Sequence, residues 1–110
     1  QLEKDARSLK SKVHALAGPA FYSEFSATVR SFLSVRFEQD FFSLTVPEAH
    51  ELLAGLPPAW AAEWIRLLQR ADRIRFDAQE PPAMERLDDL DALHREALHL
   101  ESQETLVVDV

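Results

Sequence analysis

Gly18 and Gly55 are the only glycines in this chain. Tight strand hairpins lean on glycine to reach positive φ, so a chain with two glycines has few hairpin turns available to it. Each glycine also falls where a run of helical apolar spacing stops, which predicts a C-terminal helix cap with positive φ at both positions. The expected class is therefore all-α.

Apolar spacing locates the helices. Leu2, Ala6, Leu9, Val13 and Leu16 step by three and four along one face. That stripe either packs on the domain or continues a coiled coil. From Pro19, "PAFYSEFSATVRSFLSVRF" gathers Tyr22, Phe25, Val29, Phe32 and Leu33, which predicts a central aromatic helix. "EQDFFSL" then breaks the period. In "TVPE", Thr45 and Glu48 have the spacing of a capping box that opens a short helix. After Pro57 and Pro58, Trp60, Trp64, Leu67, Leu68 and Ala71 share one face, with Trp64 the strongest core candidate. The helix is expected to end near Asp72, with "RIRFDAQEPP" leaving it. A last helix from Ala83 carries Met84, Leu87, Leu90, Leu93, Ala97, Leu98 and Leu100 opposite Glu85, Asp88, Asp89 and Asp91. The terminal "TLVVDV" is β-prone, so residues 102–110 are expected as a frayed tail or one edge strand.

At 110 residues the chain fits one domain, and a chain of that length buries roughly 65% of its unfolded surface without a metal or disulfide. Cysteine is absent, which removes disulfides, thiolate metal sites and thiol nucleophiles from consideration. No apolar run reaches the roughly 20 residues of a membrane span, and the first ten residues lack the pattern of a signal peptide and an initiator methionine, so the chain reads as a fragment of a longer protein. The net charge of −7 is distributed as +2 over residues 1–18, −1 over 19–76 and −8 over 77–110. An acidic final third disfavours binding to phosphate backbones.

Motifs for chemistry are sparse. The closest histidines, His94 and His99, are five residues apart, which is not the i, i+4 spacing of a helical metal site. They read as surface or boundary residues, and His14 and His50 have no convincing carboxylate partner. "ERLDDLD" lacks the alternating oxygens and glycine of a calcium loop and reads as a solvated helix face. Two widely separated glycines cannot form a phosphate-binding loop, and no nucleophile elbow is present. No cofactor, metal or catalytic residue is assigned.

The arginines and connector phenylalanines are what remain. Arg66, Arg70 and Arg73 fall on one helical face, with Arg75 beyond the expected helix end. Cations near a helix C-terminus interact favourably with its dipole, a structural role preferred here over phosphate binding. Phe41, Phe42 and Phe76 sit on connectors, and at least two of the three are expected to plug gaps between helices, leaving a partner patch near Phe41.

Taken in order, "FYSEFSATVRSFLSVRF", "LTVPEAHELL" and "WIRLLQRADRIRFDA" resemble the cytoplasmic C-terminal region of BatD-type (aerotolerance operon) bacterial membrane proteins, over residues 19–78. Tyr22, Phe25 and Arg30 match that family's aromatic helix, Thr45 and Glu48 its capped helix start, and Ala71, Asp72 and Phe76 its closing segment. None is catalytic in the family. The resemblance implies a helical domain at the cytoplasmic face of the inner membrane, tethered by an upstream span. Its implied partners are MoxR-type AAA+ ATPases or von Willebrand factor A-domain proteins. An ion pair between Arg30 and Asp72 is expected to hold the ends of the motif together.

The expected architecture is a single bundle of about five helices. Residues 1–18 form an amphipathic helix, membrane-proximal or coiled-coil in character, residues 19–101 the helical domain and residues 102–110 the tail. The expected function is protein–protein interaction in an assembly or stress-tolerance complex, through Leu9 and Val13, Phe41 and Phe42, and Arg66, Arg70 and Arg73. A homo-oligomer through residues 2–16 is also in view. The competing reading is a helical nucleic-acid binder using the arginine face with Arg75, and a third, enzymatic reading requires His94 to converge with a carboxylate.

Overall fold

The computed structural model describes residues 2–109, with side chains through residue 102. Five helices follow one another: α1 (Leu2–Lys10), α2 (Gly18–Phe37), α3 (Val46–Leu52), α4 (Pro58–Phe76) and α5 (Ala83–Asp109), with 3-10 turns at Phe41–Ser43 and Leu53–Gly55. No strand occurs among the described residues. The α5 backbone continues through Asp109, in place of the tail or edge strand expected for 102–110; the side chains of 103–110 lie outside the described set.

The pairing of α2 with α4 is the centre of the bundle, and the two run antiparallel, with Tyr22 beside Arg70 and Phe32 beside Trp64. Phe21, Tyr22, Phe25, Val29 and Leu33 of α2 meet Trp64, Leu67, Leu68 and Ala71 of α4, all essentially inaccessible to solvent. Each such large apolar side chain contributes about 1.5–3 kcal/mol by leaving water. Phe32 stacks on Trp64 with ring centroids 5.5 Å apart. Leu90, Leu93, Ala97 and Leu100 of α5 close the core.

The N-terminal stripe belongs to this same core. Leu9 and Val13 are buried, so neither is the free interaction surface that their spacing suggested, while Leu2, Ala6 and Leu16 of the same stripe are half-buried. α1 stops at Lys10, and residues 11–16 turn across the bundle, carrying Val13 inward.

Glycine does a different job from the one expected. Gly18 begins α2, and a Cβ on it would stand 2.0 Å from the carbonyl oxygen of Gln79, so close backbone approach, not positive φ, requires glycine there. Gly55 likewise has no positive φ. The left-handed positions are Glu38 (φ 54°) and Ala78 (φ 51°). After each, the next amide closes the helix end: Gln39 N–H donates to Ser34 O at 3.2 Å, and Gln79 N–H to Ile74 O at 3.1 Å.

Helix α4 also runs further than expected, through Phe76. Ile74 lies three residues past Ala71 on the same face and is buried, so the stripe continues for another turn. Phe76, two residues past Ile74, is thereby turned to the opposite side and stands 82% exposed. It is not a plug.

Candidate functional site

Three buried or half-buried arginines hold the bundle together, and their partners decide which surfaces are left over. Arg30 reaches from α2 to the Phe41–Ser43 turn, donating to the carbonyls of Phe41 (2.6 Å) and Leu44 (2.8 Å). Ser34 Oγ accepts from Phe41 N–H at 2.9 Å. Together they fix the turn so that Phe41 enters the core beside Phe37, with centroids 6.0 Å apart, while Phe42 faces outward. One of the three connector phenylalanines is a plug, where two were expected. The expected Arg30–Asp72 pair does not form, because one guanidinium nitrogen of Arg30 faces the turn, its Nε donates to Ser26 Oγ at 3.4 Å, and Asp72 accepts from Arg75 at 3.3 Å within α4.

Arg70 belongs to a second cluster. Its Nε donates to Asp89 Oδ2 at 2.8 Å, its second guanidinium nitrogen meets Glu85 at 3.1 Å, and its charge lies 5.8 Å from the Tyr22 ring centroid. Tyr22 Oη donates to the same Asp89 oxygen. Burial pushes the Tyr22 phenol well above its ordinary pKa, and the bond to Asp89 adds to the shift. For Arg70, burial opposes the charge, but the hydrogen bond and negative charge of Asp89, with Tyr22 adding to them, together outweigh it and the pKa rises. Asp89 thus corrects the reading of "ERLDDLD" as a solvated face: Glu85, Asp88 and Asp91 are exposed, but Asp89 is buried.

The third cluster forms around Arg86, which is almost fully buried. It donates to the carbonyls of Pro81 (2.9 Å), Val13 (3.2 Å) and Leu16 (2.6 Å), and lies 5.3 Å from the Phe21 ring centroid. Glu80, 3.4 Å from Arg86, accepts from Gly18 N–H at 2.7 Å. A carboxylate here serves the free amide at the start of α2, where no side-chain cap is present.

These clusters rotate α5 relative to its leucine pattern. Arg86, Asp89 and Glu96 are buried in phase with Leu90, Leu93 and Leu100, while Met84 and Leu98, both expected in the apolar stripe, are exposed. A scan for apolar residues alone cannot see this. The available signal was an arginine and two acids spaced in register with the leucines.

The remaining expected positions divide cleanly. Tyr22, Phe25 and Trp64 are core residues. Thr45 Oγ1 accepts from Glu48 N–H at 3.3 Å and Glu48 accepts from Thr45 N–H at 2.9 Å, completing the capping box and holding the Glu48 pKa below its ordinary value. Arg66 donates to Glu63 at 3.0 Å through Nε, which lowers the Glu63 pKa and raises that of Arg66. The arginine face is therefore not a row of unmatched cations: Arg66, Arg70 and Arg75 each meet a carboxylate, and Arg73 is exposed. His14, His50 and His94 are exposed, and His99 stacks on Trp60 with centroids 5.0 Å apart while its Nδ1 lies 3.3 Å from Glu96. Among the described residues, no group of three or more His, Cys, Asp or Glu side chains is placed to hold a metal ion.

The surface retains two concave features of interest. A groove of about 350 Å³ runs between α1, α2 and α5, with Phe32, Val35, Ala97 and Leu98 among its lining residues and Glu3, Asp5, His94 and Glu101 at its polar positions. A shallower depression of about 320 Å³ is lined by Arg30, Phe42, Leu44 and Arg75 together with serines of α2. His94 thus lies in a groove with carboxylates, the convergence that the enzymatic reading required, but it is exposed beside an apolar floor.

Neither protein families, nor curated proteins, nor solved structures give a match to this chain. The function rests on the site itself. Among the described residues, no helix is long and apolar enough to cross a membrane.

Proposed function

We propose that this chain is a non-catalytic protein–protein interaction domain. The observation that carries the reading is a division of labour among side chains. The buried charged groups Arg86 and Asp89 are engaged inside the bundle and Glu96 by Arg95 and His99 of its own helix, while large apolar side chains stand in water: Val35 is 79% exposed and Met84 75%, and Phe42, Phe76 and Leu98 are exposed as well. Leaving such groups in solvent forgoes the stabilisation that burial provides, and Val35 and Leu98 line one groove with Phe32, a contiguous apolar surface of the sort where partners bind.

The family resemblance of residues 19–78 supplies the finer proposal: a domain at the cytoplasmic face of a bacterial inner membrane, in an assembly or stress-tolerance complex. Its proposed partners are a MoxR-type AAA+ ATPase or a von Willebrand factor A-domain protein encoded beside it. Binding to nucleic acid is disfavoured, because three of the four arginines proposed for it already meet carboxylates and the net charge is −7.

The direct test is co-purification of the tagged full-length protein with the purified ATPase and A-domain proteins of the same operon, followed by size-exclusion chromatography. Co-elution with either partner at micromolar concentration is expected. Separate elution of all three proteins, with and without nucleotide, refutes these partners.

A further inference from the structure

We propose that the groove between α1, α2 and α5 receives a cationic amphipathic helix of a partner protein; this rests on the interaction reading above and names the chemistry of the partner. Three observations support it. The floor is apolar and firm: Phe32 is stacked on the buried Trp64, and Val35 and Leu98 present their side chains to solvent beside it. The groove is flanked by helices, and about 350 Å³ accommodates a few aliphatic side chains projecting at i, i+3/i+4 and i+7 from one helix face.

The third observation selects the partner's charge. Among the described residues, the charged side chains that line the groove are Glu3, Asp5 and Glu101. A helix whose apolar face fills the floor would bring its flanking residues to these acidic walls. Lysine or arginine there lays an aliphatic stem on the apolar rim and its charge beside a carboxylate, whereas glutamate meets like charge. The same walls disfavour an anionic membrane surface as the occupant. A second copy of this chain is a poor fit through α1, because Leu9 of its stripe is already buried.

The test uses the whole chain and three fluorescent synthetic helices with one shared leucine face and polar positions filled by lysine, glutamine or glutamate. Binding is measured by fluorescence anisotropy at low and moderate salt. The lysine helix is expected to bind at least about tenfold more tightly than the glutamine helix, and the glutamate helix more weakly than either. Val35→Arg and Leu98→Arg, both at exposed positions, are expected to weaken the lysine helix by about tenfold or more, and Glu3→Gln to narrow its advantage. Phe76→Ser, outside the groove, serves as a control and should change nothing. Circular dichroism of each variant verifies that the bundle is intact.

Undiminished binding of the lysine helix to Val35→Arg and Leu98→Arg overturns the proposal, since the attraction would then be diffuse. Equal binding of the lysine and glutamine helices, lost in Val35→Arg, overturns the charge selection but leaves an interaction groove. Failure of all three helices overturns the groove proposal, while co-elution with the proteins named above independently tests the interaction reading through those partners.

Discussion

Replacing Asp89 with alanine tests whether the buried acid of α5 is a structural centre or one more member of an acidic surface. Asp89 Oδ2 accepts from both Tyr22 Oη and Arg70 Nε, and the residue is 5% exposed. Truncation leaves a buried hydroxyl without its partner, a loss of about 1–3 kcal/mol. It also strips the guanidinium of its more buried carboxylate. Breaking a fully buried ion pair costs about 3–5 kcal/mol, but the Arg70 side chain is 28% exposed and retains Glu85, so about 1–2 kcal/mol is the appropriate share. The two losses together predict a destabilisation of about 2–5 kcal/mol, a large fraction of the total stability of an ordinary domain. Asp88→Ala, one residue away and exposed, should stay within about 0.5 kcal/mol. Urea unfolding followed by tryptophan fluorescence measures both. Combining Asp89→Ala with Tyr22→Phe should show coupling of about 1 kcal/mol or more, since each change removes the same hydrogen bond. Equal, small effects of Asp89→Ala and Asp88→Ala, with no coupling to Tyr22, refute the cluster.

Phe41→Ala should cost about 3–5 kcal/mol in the same assay and Phe42→Ala less than about 0.5, because the first ring is fully buried and the second faces solvent. Ala78→Gly should stabilise by about 0.5–1 kcal/mol, seen as a higher midpoint of thermal unfolding, since it relieves a left-handed φ of 51° at a helix end. Tyr22 is the chain's only tyrosine, so its alkaline titration is directly readable. Its raised folded pKa means that the protonated phenol's contribution is complete below the unfolded value of about 10 and is lost as pH rises above it, so tyrosinate absorbance should appear above that value together with unfolding. Tyrosinate forming near pH 10 in a bundle that stays folded contradicts the Tyr22–Asp89 bond.

Apolar periodicity was sufficient for the class, the number of helices and the aromatic core of α2 and α4, because those features depend on residues whose preference for the interior holds in any context. Trp64 and Tyr22 were legible in this sense. So was the capping box of Thr45 and Glu48, whose partners are three residues apart and whose geometry is local. What was not legible depended on distant partners. Arg86 is buried by carbonyls of Val13 and Leu16, some seventy positions earlier in the chain, and nothing in "AMERLDDL" announces them. Gly18 is required by the backbone of Gln79, not by its own helix. Phe76 failed for a local reason: ending the helix at Asp72 overlooked Ile74, and one further turn reversed the direction in which the phenylalanine points.

The same logic connects the misread α5 to the groove. Burying Arg86, Asp89 and Glu96 fixes the rotation of the helix about its axis, since residues at these spacings share a face. With that face turned inward, Leu98 cannot also be buried. It emerges beside Ala97 at the edge facing α1 and α2, where Val35 and Phe32 continue the apolar floor. The exposed leucine is therefore a geometric consequence of polar groups placed in the core phase. An α5 with leucines in place of Arg86 and Asp89 would lose the interactions with residues outside the helix that select this rotation, and the helix would be free to turn Leu98 and Met84 inward and close the floor of the groove. The buried charges, on this account, contribute less to net stability than to choosing which side chains remain outside for a partner.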